Sequence, residues 1–171
     1  MEQTMQFGGS DNDYHWMLNH GYLKAFATRE CRELLEMVQH IQVQDGDLLF
    51  GEGERSNQLY VIREGNVAIG HRTAPGQWLD WGPFGAVNLE EEKPTDRWKD
   101  RLLLGEGDCL GVEGCLSGMP HDHSAMAVGE TNLLSLNSHQ FRHLARHHPQ
   151  LCHCFADGLR RAWRTQGHRQ G

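Results

Sequence analysis

No apolar run in this sequence is long enough to cross a bilayer. The longest are short stretches such as Leu102, Leu103, Leu104, whereas a spanning helix needs about 20 apolar residues. Met1-Glu2-Gln3 does not open a charged segment followed by an apolar one, so a secretory signal is not expected either. Excess positive charge is also missing. A formal net charge of -7 opposes nucleic acid, whose phosphates need a positive face that releases counterions. The chain is therefore expected to be cytoplasmic, with no membrane span and no direct DNA binding. The five cysteines, Cys31, Cys109, Cys115, Cys152 and Cys154, include no CxxC pair. That removes the usual zinc and iron–sulfur spacings and makes reduced thiols the expectation.

What is abundant is glycine, with 20 in 171 residues spread through the middle of the chain, which suits an all-β fold with many tight turns. The length predicts one domain with one core. Residues 1–13 are polar and read as a loose leading segment, and 14–171 as a single domain. Between Tyr14 and His40 the pattern is helical. Thr28 is read as an N-cap, and Leu34, Leu35, Val38 and Ile41 fall on one helix face. From Ile41 the period changes to two, and a roll is expected over about residues 41–137. Gly46-Asp47 is a turn, Leu48-Leu49-Phe50 a strand and Gly51 to Glu54 another turn. Leu59 to Ile62 and Val67 to Ile69 flank Arg63-Glu64-Gly65-Asn66, which predicts a hairpin with Gly65 at positive φ. Leu102 to Leu104 reads as a strand, Gly105-Glu106-Gly107-Asp108 as a turn, and Ala125 to Val128 and Leu133 to Leu136 as two further strands.

About residues 71–101, with Trp78, Trp81, Trp98 and the run Glu90-Glu91-Glu92, are longer than a plain hairpin needs and read as a long hairpin or an insertion. Helices are expected over about 138–166. Ser138 is read as an N-cap and Pro149 as the start of a second helix, along which Leu151, Phe155, Leu159 and Ala162 form an apolar stripe. Arg160, Arg161, Arg164 and Arg169 read as a solvated face that complements the helix dipole.

The motifs Gly46-Asp47-Leu48-Leu49-Phe50, Gly53-Glu54, Leu59 to Val67, Gly107-Asp108-Cys109-Leu110-Gly111 and His123-Ser124-Ala125 occur in an order and spacing that resembles the sensor domain of the catabolite activator and fumarate–nitrate regulator family. The resemblance implies a mainly β fold: a cyclic nucleotide-binding-type β-roll, or jelly roll, with N-terminal and C-terminal helices. The winged helix-turn-helix of that family needs far more chain than follows Pro149, so a sensor without it is expected.

The resemblance also implies a phosphate-binding cassette, a short helix and turn between two strands. There, backbone N–H groups and an arginine hold a cyclic phosphate, and a glutamate holds the ribose hydroxyl. The cassette maps to residues 111–125. Val112 stands at the glutamate place and His123 at the arginine place, and no arginine occurs in the cassette. Loss of a charge-assisted contact removes about 1.5–3 kcal/mol, or one to two powers of ten in affinity. The contacts that remain are Gly111, Glu113, Gly114, Cys115, His123, Ser124 and Ala125, with Glu113 standing in for the displaced glutamate. The Gly-Val-Glu-Gly form also resembles the branch that senses oxygen, nitric oxide or redox state through a cofactor, but no N-terminal cysteine cluster is present to hold an iron–sulfur site.

Neither catalytic nor metal-ligating residues are assigned. His143 and His147 share a helix face, yet no zinc spacing closes a site around them. His121-Asp122-His123 resembles the metal motif of cupins, but Glu130 comes too late for that pattern. Cys115 is read as a small buried residue in preference to an activated thiol. The leading expectation is a non-catalytic regulatory domain. It binds a small anionic ligand, with cyclic AMP or cyclic GMP as candidates, and signals through a protein partner or homodimer at the C-terminal helix. The alternatives are a roll that binds no nucleotide and serves as an adaptor, and, further off, a metal-dependent cupin-like enzyme.

Overall fold

The computed structural model describes residues 4–7, 10–21, 28–55, 57–72 and 98–150. Its elements are β1 (Thr4–Phe7), α1 (Asp11–Asn19), α2 (Thr28–Met37), β2 (Gln39–Val43), β3 (Leu48–Phe50), β4 (Gln58–Arg72), β5 (Trp98–Leu104), β6 (Cys109–Leu110), α3 (Val112–Ser117), β7 (Ser124–Asn137) and α4 (Ser138–His147). The seven strands form one antiparallel sheet in the order β1-β2-β7-β4-β5, with β3 also on β7 and β6 also on β4. Helices flank this sheet at both ends of the chain, as expected for a β-roll.

Two long strands organise everything else. β4 and β7 pair from Gln58↔Asn137 to Gly70↔Ser124, with register shifts around Glu64. The hairpin expected at Arg63 to Asn66 is therefore not there. Leu59 to Ile62 and Val67 to Ile69 are two halves of one bent strand, and Gly65, at φ 101, sits in a bulge. The two strands expected in 125–136 are likewise one, bent at Gly129 with φ 76. A bulge adds an unpaired residue and increases local twist. Thr131, fully buried, stitches this one: its hydroxyl lies 3.0 Å from the Asn66 carbonyl and 3.2 Å from that of Gly129.

The bend splits the core in two. Beyond it, Val67, Ile69, Leu102, Leu104, Ala125 and Ala127 close over Ile41, Phe50, Ile62 and Leu110 inside the roll. On the other side Leu59, Val61, Leu134 and Leu136 receive Trp16 and Met17 of α1, Leu34 and Leu35 of α2, Val38, and Phe141 and Leu144 of α4. Both faces of this half of β4 and β7 are buried, which is why Leu59 to Ile62 is an unbroken apolar run, while Ser135, the one polar residue within Leu133 to Leu136, donates its buried hydroxyl to Gln58 Oε1 at 2.7 Å.

Several boundaries differ from the sequence reading. Residues 1–13, taken as loose, carry β1, paired with β2 from Thr4↔Gln42 to Phe7↔Gln39, and the first turn of α1. Ser10 caps that helix through a capping box with Asp13, which satisfies amide groups the helix leaves open. Ile41 belongs to β2 and the roll interior, not to the α2 face. Thr28 opens α2, and the cap of α4 is Asn137, whose side chain accepts from the His139 N–H at 2.8 Å, one residue before the expected Ser138. Residues 71–72 and 98–101 of the long hairpin or insertion are β4 and β5 ladder. Residues 73–97, with Trp78, Trp81 and the glutamate run, and the stripe Leu151, Phe155, Leu159 and Ala162 with Cys152 and Cys154 lie outside the described residues. Among the described residues no helix is long and apolar enough to cross a membrane.

Candidate functional site

The cassette opens at Gly111, whose φ of 81 places it in the left-handed region. A Cβ there would stand 2.8 Å from the Gln58 carbonyl oxygen, so glycine alone fits. α3 follows and ends at Gly118, φ 73, whose N–H donates to the Gly114 carbonyl. Val112 and Cys115 are buried in the core cluster that α1, α2 and α4 share, with α3 packed on α4 and β4. Glu113 is exposed on the other side of α3 and Gly114 half-buried. Val112 at the expected glutamate place is thus a core residue. Glu113, expected to replace that glutamate, is exposed. Cys115 is a buried free cysteine.

The return strand of the cassette is stapled to the 51–55 turn. Gly53 N–H donates to the His121 carbonyl at 2.8 Å, and His121 N–H to the Glu54 carbonyl at 2.9 Å. Arg55 and Pro120 form a further bridge. Ser124, fully buried, accepts the Glu52 N–H at 2.9 Å through its hydroxyl oxygen, which leaves the hydroxyl proton to donate elsewhere. Ala125 is buried within the roll. Ser124→Ala should therefore cost about 1 kcal/mol and lower the melting temperature by about 2–4 °C. An unchanged thermal denaturation curve would show that the staple does not depend on this hydroxyl.

Inside the staple lies an aromatic column. His121 stacks on Phe50 with ring centroids 3.7 Å apart and planes 10° from parallel, and Phe50 in turn faces Tyr60 at 6.4 Å. His123 meets Phe50 edge-on at 5.5 Å. His121 is held below its ordinary value by burial first and by His123 second, against the pull of Glu54 and Asp122. Burial, with Cys115 and Glu54, pushes Tyr60 up. The Nδ1 of His123 is hydrogen-bonded to Asp122 Oδ1, while its Nε2 is buried with no hydrogen-bond partner.

The structure thus brings His123 and Ser124 together with Phe50, His121 and the 51–55 turn, while Glu113 is exposed on α3. Sequence reasoning did not select His121, Phe50 or Tyr60. Phe50 ends the Gly46-Asp47-Leu48-Leu49-Phe50 motif, and its place on β3 opposite Ala125 is the signal that points to it. Among the described residues no three His, Cys, Asp or Glu side chains form a metal-holding group. His143 and His147 lie with ring centroids 4.7 Å apart, and the Glu130 carboxylate accepts from Gln42 Nε2 at 2.7 Å.

With this geometry in view, solved structures identify the architecture. The catabolite activator protein of Thermus thermophilus superposes with a TM-score of 0.60 at 24% identity, covering 87% of this chain and 61% of that one. A cyclic nucleotide-binding domain from Methylobacillus flagellatus gives 0.65 at 17% identity, covering 98% and 84%. The fold is the cyclic nucleotide-binding β-roll. The same roll occurs in the regulatory subunit of a cAMP-independent protein kinase A from Trypanosoma cruzi, bound to guanosine, with a TM-score of 0.59 at 18% identity over 78% of this chain and 40% of that one. In sequence, the chain is 27% identical over 131 residues to a lysophospholipase of Candida glabrata and 25% identical over 122 residues to a putative potassium channel protein of Rhodopseudomonas palustris. These matches cover 75% and 71% of the chain but only 7% and 24% of the two relatives. No protein-family model matches the sequence.

Proposed function

We propose that this β-roll is a non-catalytic regulatory sensor that binds a small anionic ligand in the 111–125 cassette and passes the bound state to a protein partner. The observation that carries this reading is the buried, unpartnered Nε2 of His123, with the buried Ser124 next to it in the chain. Buried polar atoms are nearly always satisfied, and one that is not calls for an explanation such as a missing ligand. The frame around it supports the reading. Two left-handed glycines, Gly111 and Gly118, bound α3, and the backbone staple to the 51–55 turn holds the return strand, so the cassette keeps its shape without an arginine. Cyclic AMP and cyclic GMP are the candidate ligands, since the solved structures that share this roll include a cyclic nucleotide-binding domain and a protein bound to cAMP. The state would pass on by reordering of the cassette and of α4, which packs against α3, to a homodimer mate or partner at the C-terminal helix.

A second reading has its own observation. His121 lies flat on Phe50 with its Cε1 only 3.6 Å from where a Gly111 Cβ would stand, which suits a closed roll that acts as an adaptor. Isothermal titration with cyclic AMP and cyclic GMP, with uncharged guanosine as the control, decides between them. Saturable heat and a thermal upshift are expected with at least one of the two cyclic nucleotides. No heat and no upshift at millimolar ligand would remove the sensing reading and leave the adaptor.

A further inference from the structure

His123 has two ring nitrogens in contrasting surroundings. Nδ1 is bonded to the Asp122 carboxylate, and Nε2 is buried beside Phe50 with no partner. Asp122 is 80% exposed on its side chain, against 19% for His123, so the carboxylate faces water and its oxygen serves Nδ1 as a hydrogen-bond acceptor. That places the proton of neutral His123 on Nδ1 and a lone pair on Nε2. A lone pair repels an anion. For Nε2 to receive one, it must carry a hydrogen while Nδ1 keeps its own, and only the imidazolium has both.

We propose that the cassette is a proton-coupled anion site, in which His123 takes up one proton from solvent as the anion binds and donates it from Nε2, while Asp122 holds Nδ1. This rests on the reading that the cassette holds an anion. The balance is simple: neutral His123, one proton and the free anion give an imidazolium hydrogen-bonded to the anion, and no other bond changes. His121 limits the uptake to one. Its ring and that of His123 flank the same Phe50 face and edge, and two adjacent imidazoles in a partly buried site do not both charge readily. Burial already favours neutral His121, and a charge gained by His123 favours it further. The other titratable groups around the pair are Glu54 on the 51–55 turn, Asp122 in the cassette loop, Tyr60 of β4 and Cys115 of α3. Glu52, whose N–H is bound by Ser124 and whose carboxylate meets His71 at 3.3 Å, and Arg55 at the Pro120 bridge lie on the same turn. Of these, only Asp122 is bonded to an imidazole nitrogen of the pair.

The test is calorimetric titration of the full chain with cyclic AMP and with cyclic GMP between about pH 6 and about pH 8, in buffers of different ionisation enthalpy. The expected result is uptake of about one proton per bound nucleotide at the upper end, with affinity falling by up to about tenfold per pH unit there. His123→Arg supplies a donor that is always charged and should bind with no uptake and a flat pH profile. Wild-type binding that is flat with pH and takes up no proton would overturn the proposal and leave the anion site standing, with Nε2 accepting from the ligand. Binding by H123R alone would also overturn it, since His123 would then not serve as donor. No heat from either protein, both folded by thermal denaturation, would overturn this proposal and the sensing reading together.

Discussion

Gly65→Ala is expected to lower stability by about 3 kcal/mol or more, and to shift the melting temperature down by about 6–12 °C. Two costs add. The residue sits at φ 101, outside the regions open to residues with a Cβ, and such backbone strain costs about 1–3 kcal/mol. The added methyl would then stand 2.7 Å from Thr131 Oγ1, 2.8 Å from the Glu130 carbonyl oxygen and 2.9 Å from Thr131 Cα. Two of those atoms are backbone of the partner strand and cannot rotate away. Overpacking of this kind costs about 1–3 kcal/mol more. Gly129→Ala separates the two costs, because Gly129 has φ 76 but nothing within 4 Å of its Cβ position. That variant should lose only about 1–2 kcal/mol. Chemical denaturation of both variants measures the difference. Equal losses would mean that the bulge tolerates the methyl and that the β4–β7 contact at Gly65 does not hold the bend.

That position also shows which parts of the fold a sequence reveals. Gly46 and Gly107, at φ 83 and φ 87, were readable as turns because the information is local: a glycine beside an aspartate between apolar runs. In each, the aspartate side chain closes the turn on a backbone N–H, Asp47 with Gln44 at 2.9 Å and Asp108 with Gly105 at 2.8 Å. Gly65 has the same local signature, polar residues between two apolar runs. Whether such a segment reverses the chain or only bulges depends on its partner, and here Gly129 and Thr131 of β7 supply a matching irregularity from far along the chain. Local patterning cannot carry that. The cassette divides in the same way. Its limits, its glycines and Ser124 were legible from motif order. The burial of Val112, the exposure of Glu113 and the stacking of His121 on Phe50 depend on how the cassette docks, with α3 on α4 and β4 and the return segment on the 51–55 turn. The first turn of α1 was missed for a related reason. Asp11 to Asp13 are polar and read as part of the loose leading segment, and what fixes them is a charge cluster assembled from three separate segments.

Asp13→Asn should detach that helix, at a cost of about 2–4 kcal/mol in overall stability. Asp13 is 3% exposed, and its two oxygens serve every neighbour. Oδ2 accepts from Ser10 N–H at 2.7 Å and Ser10 Oγ–H at 2.9 Å, and lies 2.9 Å from His40 Nε2. Oδ1 accepts from Arg63 Nε at 3.2 Å. One carboxylate thus caps α1 and ties it to β2 and β4, while the Arg63 guanidinium also lies 4.8 Å over the Trp16 ring. An asparagine amide would turn two hydrogens toward a cluster made of donors. Because Arg63 and His40 are each about a third exposed on their side chains, water recovers part of their loss, and the figure is set below that for a fully buried pair. The pH dependence has a definite sign. Burial alone pushes the Asp13 carboxyl up, but Ser10 through its backbone and side chain, His40 and Arg63 outweigh it and bring the group below its ordinary value. The unfolded chain therefore binds the proton first. The stability that Asp13 contributes is complete above the unfolded value of about 3.9 and is lost as pH falls from there through the lower folded value. Urea denaturation at neutral pH should show the full difference between wild type and D13N, and the difference should shrink as the solution is made more acid than about pH 4. Hydrogen exchange should report the loss first in Asp11–Asn19. A D13N protein that matches wild type at neutral pH, in both denaturation and exchange, would mean that α1 is held by Trp16 and Met17 in the apolar core and that the charge cluster adds nothing.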